Sequence, residues 1–341
     1  MRMSGVLVPS SLAAAVAGCL LLGTGGQAFA QTEISMSCAP FGSIMYAVGN
    51  AMQDLAQKEK ADFRIVNAEG PGSTAVTVNM LRDESWQKRI GCTSQLDFVY
   101  ANRGVQPFFS EPDPNLGDDI KILFNGFYGA VGILTTDPSI KSAAMLDGKT
   151  LGMGKRSQAH WAGLPLLFFE TGLPDADIDM QFLGPPASHD ALVEGRVDAV
   201  ISQLTVRPDG SEAFAPGVVT KLFASGKDIY LVGFDEKTFE RAAAEGVKFS
   251  PIRIGPDVVP ETASKEPVNF VLAPAAISVH RNFPEDLAYE VTKFMIEHAG
   301  SLPQYHAMLE TISTPEALLG DWTAEDLHPG ARRAFEEAGL L

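Results

Sequence analysis

Ile34-Ser-Met-Ser-Cys38, then Pro40-Phe41-Gly42-Ser43, then Ile44 to Lys58, then Phe63-Arg-Ile-Val-Asn67, then Gly70-Pro71-Gly72-Ser73: this stretch reads strand, turn, helix, strand, turn. The helix follows from Met45, Val48, Met52 and Leu55, which recur at three- and four-residue spacing. The turns follow from their Gly, Pro and Ser content. Outward from this stretch the alternation continues. Thr74 to Arg89 reads as a helix, and Leu96-Asp-Phe-Val-Tyr100, Ile120 to Phe124 and Ala130 to Thr135 as strands. Strands alternating with helices predict parallel α/β sheets.

The pattern restarts further on. Lys149 to Met153 predicts a strand, Gly154-Lys-Arg-Ser-Gln158 a turn and Ala159 to Thr171 a helix. Met180 to Leu183 and Val197 to Ile201 predict strands, with a helix over Ala187 to Glu194 closed by Gly195. Val268 to Leu272 and Ala276 to Val279 read as strands again. Glu285 to His298 is an amphipathic helix, and 328–339 a last one, where Arg332 and Arg333 face Glu336 and Glu337. Asp97-Phe-Val-Tyr100 after Gly91 echoes Asp198-Ala-Val-Ile201 after Gly195. Two similar α/β units, the first resumed after the second, are therefore expected.

The chain has 341 residues, 45% hydrophobic and 20% charged, with 26 Lys and Arg against 42 Asp and Glu. That apolar content builds a core and excludes wholesale disorder. The net charge of −16 argues against nucleic-acid partners, which require a basic surface. Residues 1–30 hold one charge, Arg2, an apolar run from Leu12, and Ala28-Phe29-Ala30 before Gln31. This predicts a secretory signal peptide cleaved after Ala30 and a periplasmic chain. Val16-Ala17-Gly18-Cys19 resembles a lipoprotein cleavage site, but the leucines after Cys19 read as a continuing apolar run, against anchoring there.

Two further cysteines, Cys38 and Cys92, permit a disulfide in an oxidising compartment. With Cys38 ending one parallel strand and Cys92 preceding another, their ends would lie far apart, which disfavours a bridge without deciding it. Enzyme signatures are missing: the sequence holds no His-Glu-x-x-His, Gly-x-Ser-x-Gly, Walker or dinucleotide fingerprint. Ser188-His189-Asp190 reads as a helix N-cap and first turn, because triad members are assembled in space and not side by side. The six His are scattered, so no metal and no cofactor are expected.

Three turns carry the binding chemistry. Phe41-Gly42-Ser43, Gly70 to Thr74 and Gly154 to Gln158 each follow a strand and open a helix, where free N–H groups favour an anion. In α/β sheets ligands gather beyond the carboxyl ends of strands. Candidate ligand-binding residues are Ser43, Met45, Tyr46, Gly72, Ser73, Thr74, Tyr100, Tyr128, Arg156, Ser157, Gln158, His160 and Gln203. The hydroxyls and amides donate, the tyrosines shape the wall, and Met45 also suits the core. Arg156 would fork onto a carboxylate, worth roughly 2 kcal/mol or more if buried.

Across nearly the whole mature chain the order of features resembles the TAXI family of receptors for tripartite ATP-independent periplasmic (TRAP) transporters. The match runs from Phe41-Gly42-Ser43-Ile44-Met45-Tyr46 through Gly72-Ser73, Leu146-Asp147-Gly148-Lys149 and Glu194-Gly195-Arg196-Val197-Asp198-Ala199 to Leu327-His328-Pro329-Gly330-Ala331. Ser43 and Met45 depart from the family's Gly-Gly-x-Tyr-Tyr opening. Lys155 to His160 replaces its glycine-rich turn.

The resemblance implies a type II periplasmic binding fold, with two α/β lobes and a ligand cleft between them. Lobe I would take 31–138 plus 268–341, and lobe II 139–267. It also implies a non-enzymatic receptor that captures a small organic anion, a carboxylate or amino acid, for the membrane subunits of a TRAP transporter. A receptor for an ABC importer or a membrane sensor kinase keeps the same fold. An exported hydrolase is the remaining alternative and lacks a visible nucleophile–base pair.

Overall fold

The structure, a computed structural model, describes residues 31–105, 108–156 and 158–341. The expected signal peptide over residues 1–30, with Cys19, and Ser157 lie outside the described residues. The chain opens with β1 (Thr32–Ser37), α1 (Ile44–Lys58), β2 (Phe63–Ala68), α2 (Ser73–Arg82), β3 (Gly91–Ser94) and α3 (Gln95–Arg103). β1 and β2 pair in parallel from Thr32–Phe63 to Ser37–Ala68, and a parallel bridge from Met36 to Ile90 sets β3 on the other side of β1. α1 begins where Ser43 Oγ accepts from the Tyr46 N–H at 3.2 Å, and it buries Met45, Val48, Met52 and Leu55 as their spacing requires.

The strand expected at Leu96–Tyr100 is helix α3 instead. Ser94 and Asp97 form a reciprocal capping box, and Leu96, Val99 and Tyr100 bury one helical face. The sheet strand is the shorter run just before it. The echo between Asp97–Tyr100 and Asp198–Ile201 therefore fails, because the first is helical and the second lies largely in a strand.

Next come α4 (Leu116–Asp119), β4 (Ile120–Thr135) and β5 (Thr150–Gly152). A π-helical turn at Ala159–Gly163 runs into α5 (Leu164–Gly172), followed by β6 (Asp179–Gln181), α6 (Pro185–Val193), β7 (Ala199–Val206), β8 (Ala213–Phe214), α7 (Gly217–Phe223) and β9 (Tyr230–Val232). The chain ends with α8 (Glu236–Ala244), β10 (Ser250–Ile254), β11 (Val268–His280), α9 (Glu285–His298), α10 (Pro315–Leu319) and α11 (Pro329–Glu337). Ser188 and His189 lie inside α6 and not at its cap. Ser188 Oγ donates to the Met153 carbonyl, and His189 Nδ1 meets the Pro185 carbonyl. Arg332 pairs with Glu336, but Arg333 turns to Glu285 and Asp286 of α9, while Glu337 accepts from the Tyr289 hydroxyl.

Two expected strand pairs merge. β4 is one strand of 16 residues and β11 one of 13. They pair antiparallel from Ile120–His280 to Val131–Val271. The first part of β4 is flanked by β11, whose distal part also pairs β3. The last part of β4 pairs β7 and β9. β5, between β6 and β7, β8, on β7, and β10, on β11, complete the sheet. β4 and β11 thus run through both α/β halves. Gly132 is needed at their crossing, because a Cβ there would come 2.2 Å from the Phe270 ring.

Thr32–Leu341 forms one compact unit. One core cluster packs α1, α9 and α11 on the first part of the sheet, a second runs from α2 and α3 past β4 to α5 and α8, and a third fills the remaining face of the second part. No helix among the described residues is long and apolar enough to cross a membrane.

Candidate functional site

The turns after β1 and β2 are stitched together. Gly72 N–H donates to the Cys38 carbonyl at 2.9 Å, Gly70 N–H to Ala39, and Phe41 N–H to the Glu69 carboxylate. A Cβ on Gly70 would sit 2.4 Å from the Cys38 carbonyl carbon, so only glycine allows this approach. Cys38 and Cys92, whose pairing the sequence left undecided, form a disulfide with their Cα atoms 5.4 Å apart. The cause is the α3 correction. Cys92 lies within β3, and the Met36–Ile90 bridge places it level with Cys38 on the neighbouring strand.

Asp97, which sequence reasoning did not single out, organises this corner. Its buried carboxylate accepts from Thr74 Oγ1 at 2.6 Å, Ser94 N–H at 2.7 Å, Ser94 Oγ at 3.0 Å and Thr93 Oγ1 at 3.3 Å. Burial pushes its pKa up, and the hydrogen bonds it accepts pull it back. The Ser94-x-x-Asp97 spacing was the available signal. Thr74 is spent on this anchor, so it sets the first turn of α2 and does not face a ligand with its hydroxyl. Gly72 sits just before that turn at φ 107°, and Ser73 is half-buried beside it.

At the start of α1, the Ser43 hydroxyl donates to the Pro40 carbonyl at 2.7 Å while capping the helix. Tyr46 is half-buried and meets the edge of Phe41, which is 75% exposed. Met45 is core: its Sδ and Cε would lie 2.9 Å from a Cβ on Gly126 of β4.

On the other side, the Lys155 N–H donates to Gln158 Oε1, folding Gln158 back onto its own turn. Arg156 is exposed, and its guanidinium lies 3.7 Å from the centre of the Phe182 ring. His160 is buried on the π-helical turn, with its ring 5.4 Å from Phe127 and its Nδ1 facing Gly129 of β4. The Gln203 side chain of β7 approaches it. Burial holds His160 down to about 4, so the ring is neutral, and its Nε2 has no hydrogen-bond partner. Tyr100 stacks on Phe108 and directs its hydroxyl at Gly163, the end of the same turn.

The fold therefore brings Met45, His160, Gln203 and Phe127 to the Gly126–Val131 stretch of β4, with Tyr100 at the edge. It does not bring Tyr128. That side chain points to the opposite face, fully buried, with its hydroxyl against Gly320 and the Asp321 backbone. Among the described residues no cluster of His, Cys, Asp or Glu is arranged to hold a metal ion.

The fold, with long strands running through two α/β halves, is similar to that of solved periplasmic binding proteins. A solved periplasmic transporter superposes with a TM-score of 0.51 at 13% identity, over 91% of this chain and 96% of that one. MatC from Rhodopseudomonas palustris with bound malate gives 0.49 at 13% identity over 90% and 97%. A TctC solute-binding protein from Polaromonas gives 0.47 at 12% over 91% and 99%. Residues 36–339 match the NMT1-like family, and the chain belongs to that family.

Proposed function

We propose that this protein is an extracytoplasmic solute receptor of the TAXI type, which captures a small organic acid and delivers it to the membrane subunits of a TRAP transporter. Lobe I would comprise 31–138 plus 268–341, and lobe II 139–267. The observation that carries the reading is the buried, neutral His160 with its unpartnered Nε2, lodged against the strand shared by both halves. A buried polar atom without a partner costs free energy unless a ligand or water completes it.

The first turns of α1 and α2 would offer backbone N–H groups from the lobe I side. Gln203 adds a side-chain amide. Arg156 stands on the rim as an exposed cation, suited to attracting an anion more than to holding it. The helix dipoles and rim charge favour a carboxylate; the neutral imidazole supplies direction without charge.

The test is a thermal-shift screen of the mature chain, stripped by partial unfolding, against L-glutamate, 2-oxoglutarate, L-malate, benzoate and ethanesulfonate. A ligand at 100 times its Kd stabilises by about 2.7 kcal/mol, raising Tm by several degrees. A shift confined to one chemical class supports the receptor reading. A shift with an ester substrate that is turned over refutes it. Co-purification with membrane subunits of a TRAP type, against an ABC permease or a sensor kinase, tests the delivery partner.

A further inference from the structure

We infer that Gly163 and Tyr100 form the closing contact between the two halves and set the affinity of the site; the inference rests on the receptor reading above. Gly163 lies at the start of α5 with φ −63° and ψ −51°, ordinary helical values that alanine adopts more readily than glycine. Its backbone gives no reason for glycine. Space does: a Cβ there would stand 2.4 Å from Tyr100 Oη and 3.1 Å from Leu96 Cδ2. Both partners belong to α3, on the other half of the chain. Tyr100 has little room to retreat, being 6% exposed and stacked on Phe108 at an interplanar angle of 12°.

The same helix makes polar contacts across the seam. Gln95 Nε2 donates to the Lys248 carbonyl at 3.0 Å, and Arg103 Nη1 donates to the carbonyl of Glu245, the C-cap of α8. A cation on the last carbonyls of a helix is favourable. α3 is therefore a closure face with an apolar centre and two polar ends. The seam abuts the site at both sides. Gly163 ends the turn that carries His160, and α3 begins at the Asp97 anchor that holds Thr74 and the start of α2. A ligand that orders either turn acts on the seam, and a wedge in the seam acts on the ligand. Gly163 and Tyr100 are positioning residues in this scheme.

The test pairs a wedge with its relief. Gly163→Ala places a methyl group against the Tyr100 hydroxyl, and Tyr100→Phe removes that oxygen. Overpacking of this kind penalises the closed form, so Gly163→Ala lowers affinity about tenfold or more for whichever panel acid gives the largest thermal shift. Gly163→Ala/Tyr100→Phe regains most of it. An unchanged affinity for Gly163→Ala, or a loss that Tyr100→Phe leaves in place, overturns the inference.

Small-angle scattering of the ligand-free chain tests the seam without any solute. The radius of gyration rises in Gly163→Val, and Gly163→Ala/Tyr100→Phe scatters like the wild type, with circular dichroism confirming that each variant is folded. Identical scattering from wild type and folded Gly163→Val also overturns the inference. A seam that behaves as described in a chain that binds no panel member counts against the receptor reading alone.

Discussion

A Cβ on Gly330 would lie 2.1 Å from the Glu285 carbonyl oxygen and 2.7 Å from the Tyr289 nitrogen. This close approach of α11 to α9 explains the Leu327–Ala331 motif physically. The motif also hydrogen-bonds to β4, where His328 N–H donates to the Ile122 carbonyl and Ile122 N–H to Asp326. Because backbone atoms form the obstacle, no rotamer change relieves it. Gly330→Ala should cost about 3 kcal/mol, read as a lowered urea midpoint at unchanged slope. A stability within 0.5 kcal/mol of wild type would show that α11 shifts without penalty, by the usual threshold for a tolerated surface change.

The Cys38–Cys92 bridge closes a loop with a sequence separation of 54. Chain-entropy bookkeeping gives such a loop about 4 kcal/mol of stabilisation. The bridge also holds the turn that Gly70 and Gly72 clasp. Dithiothreitol, or the Cys38→Ser/Cys92→Ser variant, should lower the denaturation midpoint and weaken ligand binding together. Equal midpoints with and without reductant would remove the bridge from the stability of the fold.

Acid should unfold the protein through its buried imidazoles. His160 is held at about 4 against 6.5 for an unfolded histidine, because burial disfavours its charged form. The unfolded chain therefore binds a proton first. The stability attached to a neutral His160 is complete above pH 6.5 and is lost as pH falls toward 4, by about 3 kcal/mol at most. His189, His280 and His328 are lowered in the same direction, and Asp97, raised by burial, opposes them at the acid end. His160→Gln should flatten the pH–stability curve between pH 6.5 and 4 without abolishing it. An unchanged curve would mean that His160 titrates normally.

Arg156 and His160 should differ in what they contribute to affinity. Arg156 is exposed over Phe182, so its pull on a carboxylate is screened and worth about 1 kcal/mol or less, well below the buried-pair value. Arg156→Ala should weaken binding less than about fivefold and act mainly on the association rate. His160→Phe, which keeps a ring but removes the buried nitrogen, should cost about tenfold or more. Calorimetry and stopped-flow rates on both variants decide the order, and a larger loss at Arg156 would reverse it.

Much of the architecture was legible because periodicity and caps are local. α1 and α9 fall where Met45, Val48, Met52 and Leu55, or Leu287, Val291, Phe294 and Met295, place them. The readable limit was reached where tertiary context overrides local pattern. Leu96 to Tyr100 carries strand-forming residues, yet the Ser94–Asp97 box turns it helical. Gly126, Gly129 and Pro274 look like strand breaks, but they sit inside paired strands, where the glycines admit close neighbours.

The site was legible as a set of turns and not as a set of side chains. Gln158 and Ser43 spend their polar groups on the backbone around them, Thr74 donates to the Asp97 carboxylate, and Tyr128 falls on the wrong face of its strand. Spacing alone could not reveal those directions. Asp97 was hidden for the converse reason: its importance comes from four donors, and Thr74 lies 23 residues away in the chain.

β4 and β11 pair from Ile120–His280 to Val131–Val271, with register shifts at Ala275/Ala276 and Ile277/Ser278, so the connection between the two halves is a ribbon and not a tether. A hydrogen-bonded ribbon resists stretching and sliding, since either would break several rungs at once, but it twists cheaply. Opening of the proposed receptor would then be a torsion with a restoring force, like the wire of a balance. In the receptor proposed above, the halves would return to the same alignment after every cycle, and a solute would be released by unwinding a few degrees of twist over many residues instead of by breaking any one joint.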